Sequence, residues 1–120
     1  MPSNQRVHLQ IYGIKNCDSC RHAMKWLQIR NVPYTFHDLR SEELPQALLE
    51  QWLASDYAPY LLNRRSTTWR KLSDEEKQQA DSHPMPLLQA HPTLIKRPVI
   101  TDGESILDVG FAPSHMEDYI

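Results

Sequence analysis

The chain of 120 residues has only two cysteines, Cys17 and Cys20, and they form a Cys-x-x-Cys motif. In a helix this spacing places both side chains on one face, with Cα atoms roughly 5–6 Å apart, within the range of a disulfide. If the helix begins at Cys17, its unpaired N–H groups and its dipole stabilise a Cys17 thiolate. The motif therefore indicates thiol–disulfide chemistry, in which Cys17 attacks and Cys20 resolves the mixed disulfide.

Three other interpretations of the two cysteines are open at this point. Both residues are compatible with small, buried, apolar packing positions. Cys17, Cys20 and His22 are also candidate zinc ligands, although no second ligand pair stands at the usual spacing. A papain-like hydrolase would need a histidine that the fold brings to Cys17, which a sequence alone does not exclude. We predict no metal site.

The motif lies between two different hydrophobic periods. Before it, Val7, Leu9 and Ile11 alternate with polar residues, which predicts a strand. After a turn over 13–16, with Asn16 as the expected N-cap, apolar residues recur at helical spacing up to about residue 30. A second strand is predicted over 34–39. Strand, helix and strand in this order predict a parallel pair.

Helical patterns dominate from about 41 to 91. A helix is expected after Pro45, a short one over 57–62, one at the capping box of Ser73 and Glu76, and one ending at Ala90. No linker-like stretch flanks this segment, so we interpret it as a helical insertion within a single domain of residues 1–120. Strands at 98–101 and 105–109, joined at Asp102-Gly103, and a helix at Pro113 complete the chain. The order resembles the thioredoxin fold, an α/β fold with βαβ and ββα halves.

Composition excludes several classes of function. The net charge of −2 gives no general attraction to nucleic acid or anionic membranes. No apolar run approaches the ~18 residues of a membrane helix, and the first six residues lack an apolar signal core. Three glycines leave no room for a Gly-rich nucleotide loop. We expect a cytoplasmic protein, since a Cys-x-x-Cys motif in a reducing compartment is typical of catalysis or redox sensing.

Three separated segments together resemble the arsenate reductase-related (ArsC) family, especially its YffB branch, to which the Spx regulators are also related. They are Tyr12-Gly13-Ile14-Lys15-Asn16-Cys17-Asp18, residues 62–72 (LNRRSTTWRKL) and Ile95-Lys96-Arg97-Pro98-Val99-Ile100. The resemblance covers nearly the whole chain. It implies a thioredoxin-like fold with a helical insertion.

The resemblance also implies site residues. Cys17 falls on the family's catalytic cysteine, Arg65 on the arginine of the insertion, and Arg97 and Pro98 on an Arg-Pro pair whose proline is similar to the cis proline of thioredoxin folds. Lys15 should favour the Cys17 thiolate through its charge. We therefore predict Cys17 and Cys20 as catalytic residues, and Arg65, Arg97, Pro98 and Lys15 as substrate-binding residues.

The function implied is a thiol–disulfide oxidoreductase, specifically a thiol reductase with glutathione as co-substrate and no bound cofactor. The alternative is a redox-sensing regulator of the Spx type that binds a partner such as RNA polymerase. Cys20 favours the alternative, because YffB members commonly have only the first cysteine. We expect arsenate reduction less strongly than these two functions, because residues 108–113 lack the further arginine that the family's arsenate reductases use.

Overall fold

A computed structural model describes residues 8–119. The chain divides into two compact units, one made of Met1–Asp38 with Arg97–Ile120 and the other of Leu39–Lys96. The second unit contains the predicted insertion of about 41–91, while the interpretation of the chain as one domain stays a prediction. Val7, which we expected in the first strand, lies outside the described residues.

The described elements follow the predicted order, with additional short helices. In chain order they are β1 (Leu9–Gly13), α1 (Asp18–Ile29), β2 (Tyr34–Asp38), α2 (Gln46–Leu53), α3 (Ala58–Leu61), α4 (Thr67–Arg70), α5 (Asp74–Ser82), α6 (Pro84–Ala90), a 3-10 turn (Pro92–Leu94), β3 (Val99–Thr101), β4 (Ile106–Val109), α7 (Pro113–Met116) and a 3-10 turn (Glu117–Tyr119). None of the helices described between residues 8 and 119 has the length and apolar character to cross a membrane.

The first unit is built on a four-stranded mixed sheet in the order β2-β1-β3-β4. β1 and β2 are parallel, from Leu9 opposite Tyr34 to Gly13 opposite Asp38, which confirms the predicted parallel pair. β3 runs antiparallel to both β1 and β4. The end of β1, where the cysteine motif follows, therefore lies beside β3.

The apolar face of α1 explains how the helix is held. Ala23 and Leu27 are fully buried and pack with sheet residues such as Ile11 and Ile100, as the helical spacing of these apolar residues predicts. The helix ends at Ile29, and Asn31 adopts a left-handed backbone with φ of 56°. This packing fixes the start of α1 against the sheet, which is where Cys17 stands.

The second unit consists of short helices. Leu49 and Trp52 of α2 and Leu87 and Leu88 of α6 are buried. The capping box of α5 is present, because the Glu76 N–H donates to the Ser73 hydroxyl at 3.2 Å and the Ser73 N–H donates to the Glu76 carboxylate at 3.0 Å. We did not predict α4, because its four residues include one apolar side chain and no proline at the start, unlike those of α3.

Candidate functional site

Cys17 is the residue from which α1 begins. It is the N-cap, with an extended backbone (φ −105°, ψ 124°), and its carbonyl accepts the Arg21 N–H at 2.9 Å. Our assignment of Asn16 as N-cap was wrong. The Cys17 N–H donates to the Ile14 carbonyl at 3.2 Å, so Asn16 belongs to the preceding turn and Cys17 takes the capping position.

Cys20 lies one turn further along α1 and is completely buried, whereas Cys17 is partly exposed. Both are free thiols. The Sγ of Cys20 lies against Gly13, the last residue of β1, so closely that a methyl group on Gly13 would overlap it. A reagent from solvent therefore meets the sulfur of Cys17 before that of Cys20.

The pKa of Cys17 is lowered from its ordinary value. Burial acts in the opposite direction, but the backbone N–H and the thiol of Cys20, and then the hydrogen bond and positive charge of Arg97, outweigh it. The sulfur does not make a regular capping hydrogen bond, yet the nearby Cys20 N–H stabilises its thiolate form. The site thus favours a thiolate at Cys17, as a nucleophilic cysteine requires.

The pKa of Cys20 moves the other way, to about 12. Burial is the largest cause; the backbone N–H of Ile14 offsets part of it, and the neighbouring Cys17 adds to it. Because the two sulfurs titrate together, the first proton lost from the pair leaves Cys17 and the second is held to high pH. Near neutral pH, Cys20 therefore acts as a hydrogen-bond donor.

Arg97 interacts with Cys17, and Pro98 follows Arg97 just before the start of β3. The peptide bond between them is cis, as expected for the resemblance to thioredoxin folds. Pro98 immediately precedes β3, whose Val99 pairs with Tyr12 of β1, and the Pro98 carbonyl accepts the Gly110 N–H at 2.8 Å. Arg97 is half-buried with its Nε inside the protein, and its guanidinium group donates to Cys17.

The other two predicted binding residues are exposed. Lys15 lies in the turn before Cys17. Arg65 lies in the second unit, where its backbone N–H donates to the side-chain oxygen of Asn63 at 3.0 Å. The neighbouring Arg64 forms an ion pair with Asp81 at 2.7 Å. Binding roles for Lys15 and Arg65 stay predictions.

Asp108 is a structural carboxylate that the sequence did not reveal. It is 6% exposed and accepts the N–H groups of Val109 at 2.9 Å and Ala112 at 2.6 Å, with His115 Nδ1 at 3.3 Å. These bonds hold the loop containing Gly110, whose N–H reaches the Pro98 carbonyl. An isolated Asp in a strand gives no local sign that its partners lie further along the chain.

In this loop, Phe111 packs edge-on against Trp26, with ring centroids 5.9 Å apart. The loop thus carries an aromatic contact and no arginine over residues 108–113. Within residues 8–119, the structure has no group of three or more His, Cys, Asp or Glu side chains arranged to hold a metal ion.

These features agree with a family assignment from comparison with known proteins. The model of the ArsC family matches residues 12–119, so the chain belongs to that family. It is 40% identical over 101 residues to an uncharacterised protein of Haemophilus influenzae, covering 82% of this chain and 89% of the relative. It is 32% identical over 116 residues to the global transcriptional regulator Spx of Staphylococcus haemolyticus, covering 92% and 85%.

Two solved structures are similar over nearly their full length. A YffB protein is 36% identical, with a TM-score of 0.84 and coverage of 92% of this chain and 97% of that one. An arsenate reductase (ArsC) related protein from Brucella melitensis is 37% identical, with a TM-score of 0.72 and coverage of 99% and 98%. The predicted family and the thioredoxin-like α/β fold with its helical insertion are confirmed.

Proposed function

We propose that this ArsC-family protein is a thiol-dependent reductase in which Cys17 is the nucleophile and glutathione is the co-substrate. The observation that carries the proposal is the partly exposed sulfur of Cys17 at the start of α1, with its pKa lowered, against burial, by Cys20 and Arg97. A thiolate that solvent can reach is the species that attacks disulfides.

The reaction balances as two exchanges. The Cys17 thiolate attacks one sulfur of a disulfide, forms a Cys17–substrate disulfide and expels the other half as a thiolate, which takes a proton from water. A glutathione thiolate then attacks the substrate sulfur, releasing the Cys17 thiolate and a glutathione–substrate disulfide. A second glutathione reduces that disulfide, so two glutathione thiols supply the two electrons and end as oxidised glutathione.

Binding of glutathione is proposed to use cationic side chains. Glutathione carries two carboxylates, and arginine matches a carboxylate with paired N–H donors. Arg97 is the best-supported candidate because it already donates to Cys17. Pro98, Lys15 and Arg65 complete the proposed binding set, and no bound cofactor takes part.

Turnover of a model disulfide tests the proposal. The purified protein receives glutathione and hydroxyethyl disulfide, and the oxidised glutathione formed is measured with glutathione reductase. We expect activity in the wild type and none in Cys17→Ser. Cys20→Ala should remain active, since glutathione resolves the intermediate. A folded wild-type protein that turns over neither this disulfide nor a glutathionylated peptide would refute the proposal.

A second candidate is a redox-sensing regulator of the Spx type, with RNA polymerase as the proposed partner. It is favoured by the 32% identity to Spx and by the two free thiols three residues apart. The test is capture of purified RNA polymerase by the reduced and the oxidised protein, with Cys20→Ala as the form that cannot close the disulfide. Binding that depends on oxidation would support this candidate, and no binding in either form would remove it.

A further inference from the structure

Gly13 lies at the base of the cysteine motif. It ends β1, opposite Asp38 of β2, and its backbone does not have the positive φ that restricts a site to glycine. A Cβ at this position would lie 3.5 Å from the Cys20 Cβ and 3.6 Å from the Phe36 ring, both ordinary contacts. Only the Sγ of Cys20 occupies the space where a side chain would stand.

The sulfur in this space has two polar neighbours. The Ile14 N–H donates to it, and Cys17 is its other hydrogen-bond partner. Cys20 is completely buried, so no solvent competes for this hydrogen bond. Cys20 therefore stabilises the thiolate of Cys17 through the position of its sulfur rather than through its own reactivity.

We infer that Gly13 is a positioning residue for the thiol site: its missing side chain leaves the space from which the Cys20 thiol donates a hydrogen bond to the Cys17 thiolate. This inference rests on the proposed function, because it concerns how the proposed nucleophile is ionised. It adds that the strand before the motif, and not the motif alone, sets the ionisation of Cys17.

Alanine at position 13 is a specific perturbation of this arrangement. The atom that it displaces is the terminal sulfur of Cys20, which moves by rotation about the Cα–Cβ bond. The backbone of a strand accepts alanine, so we expect the fold to persist while the sulfur turns away. The displaced thiol no longer donates to Cys17. We expect the thiolate fraction of Cys17, measured below its titration midpoint, to fall about fivefold. This is the net effect of losing about one hydrogen bond.

The test is a double-mutant cycle. The pH profile of Cys17 ionisation is recorded from the ultraviolet absorbance of the thiolate in the wild type, Gly13→Ala, Cys20→Ala and the double variant. Gly13→Ala and Cys20→Ala should each lower the thiolate fraction about fivefold. The double variant should match Cys20→Ala alone, because without the sulfur the alanine meets only ordinary contacts.

Two results would overturn the inference. One is a Gly13→Ala profile equal to the wild type while Cys20→Ala is shifted; the other is an additive effect in the double variant. If Gly13→Ala does not fold, the double variant decides: recovery of the fold shows that the Cys20 sulfur was the obstacle, and a double variant that is also unfolded refutes the steric argument.

The outcome is separable from that of the proposed function. The cycle measures ionisation, whereas the proposed function is judged by turnover with glutathione. If the wild type shows no turnover but the cycle is as predicted, the positioning role of Gly13 is supported and the reductase function is refuted. If the wild type turns over but the cycle is additive, the reductase function is supported and the role of Gly13 is refuted.

Discussion

Replacing Arg97 by glutamine should change the reactivity of Cys17 in a way that reverses with pH. Arg97 supplies both a hydrogen bond and a positive charge that lower the pKa of Cys17. Two unit charges about 4 Å apart interact by ~1 kcal/mol in water and ~4 kcal/mol near a protein surface. Cys17 is partly exposed and Cys20 outweighs Arg97 in its effect on the pKa, so we take the lower value.

A loss of about 1 kcal/mol corresponds to a roughly fivefold smaller thiolate fraction below the titration midpoint. The more basic thiolate is also more nucleophilic, by roughly twofold for a Brønsted slope of about 0.4–0.5. The two effects oppose each other at low pH, where we expect alkylation of Arg97→Gln to be about 2.5-fold slower than in the wild type. Above both midpoints only the second effect remains, and the variant should be about twofold faster.

The assay is the rate of reaction with iodoacetamide, which is uncharged, across the pH range below the titration of Cys20. Lys25→Gln is the matched control, because it removes one positive charge from an exposed position of α1. Its profile should overlay the wild type. Profiles of Arg97→Gln that do not cross the wild-type profile, or an equal change in Lys25→Gln, would refute a local role of Arg97 at the sulfur.

Three further predictions concern stability and accessibility. Asp108→Asn should lower the free energy of unfolding by about 2 kcal/mol, because the single amide oxygen cannot replace the two carboxylate oxygens that accept the Val109 and Ala112 N–H groups. Urea unfolding measures the loss, with exposed Asp118→Asn as control, and a loss no larger than in the control would contradict the prediction. Ser73→Ala should cost about 1 kcal/mol through loss of the capping box, measured by the same unfolding curves, and an unchanged midpoint would contradict it. Near neutral pH, iodoacetamide should add one group to the native protein, at Cys17, and two groups in denaturant, because Cys20 is buried in the native protein and its pKa there is about 12. Mass spectrometry counts the adducts, and two adducts in the native protein would contradict the burial of Cys20.

Confirmed predictions from the sequence are those that depend on neighbouring residues. The period of α1 and the capping box at Ser73 follow from residues within a few positions of one another. The parallel pair of strands follows from the order of three such local patterns, strand, helix and strand. The N-cap was wrong by one residue, since Asn16 and Cys17 both precede the helix and the closure of the turn onto Ile14 decides between them. α4 was missed because its four residues include one apolar side chain and no proline at the start.

The sequence by itself determined that a Cys-x-x-Cys motif stands between a strand and a helix, and its motifs determined the family. The tertiary structure decided which groups act on the sulfur of Cys17. Arg97 reaches it because β3 pairs with β1, and Cys20 is held behind it because Gly13 leaves room. The contacts of Arg97 with Cys17 and of Gly13 with Cys20 join residues whose separation along the chain carries no helical or strand period, so packing of the sheet and burial, rather than local propensity, establish them.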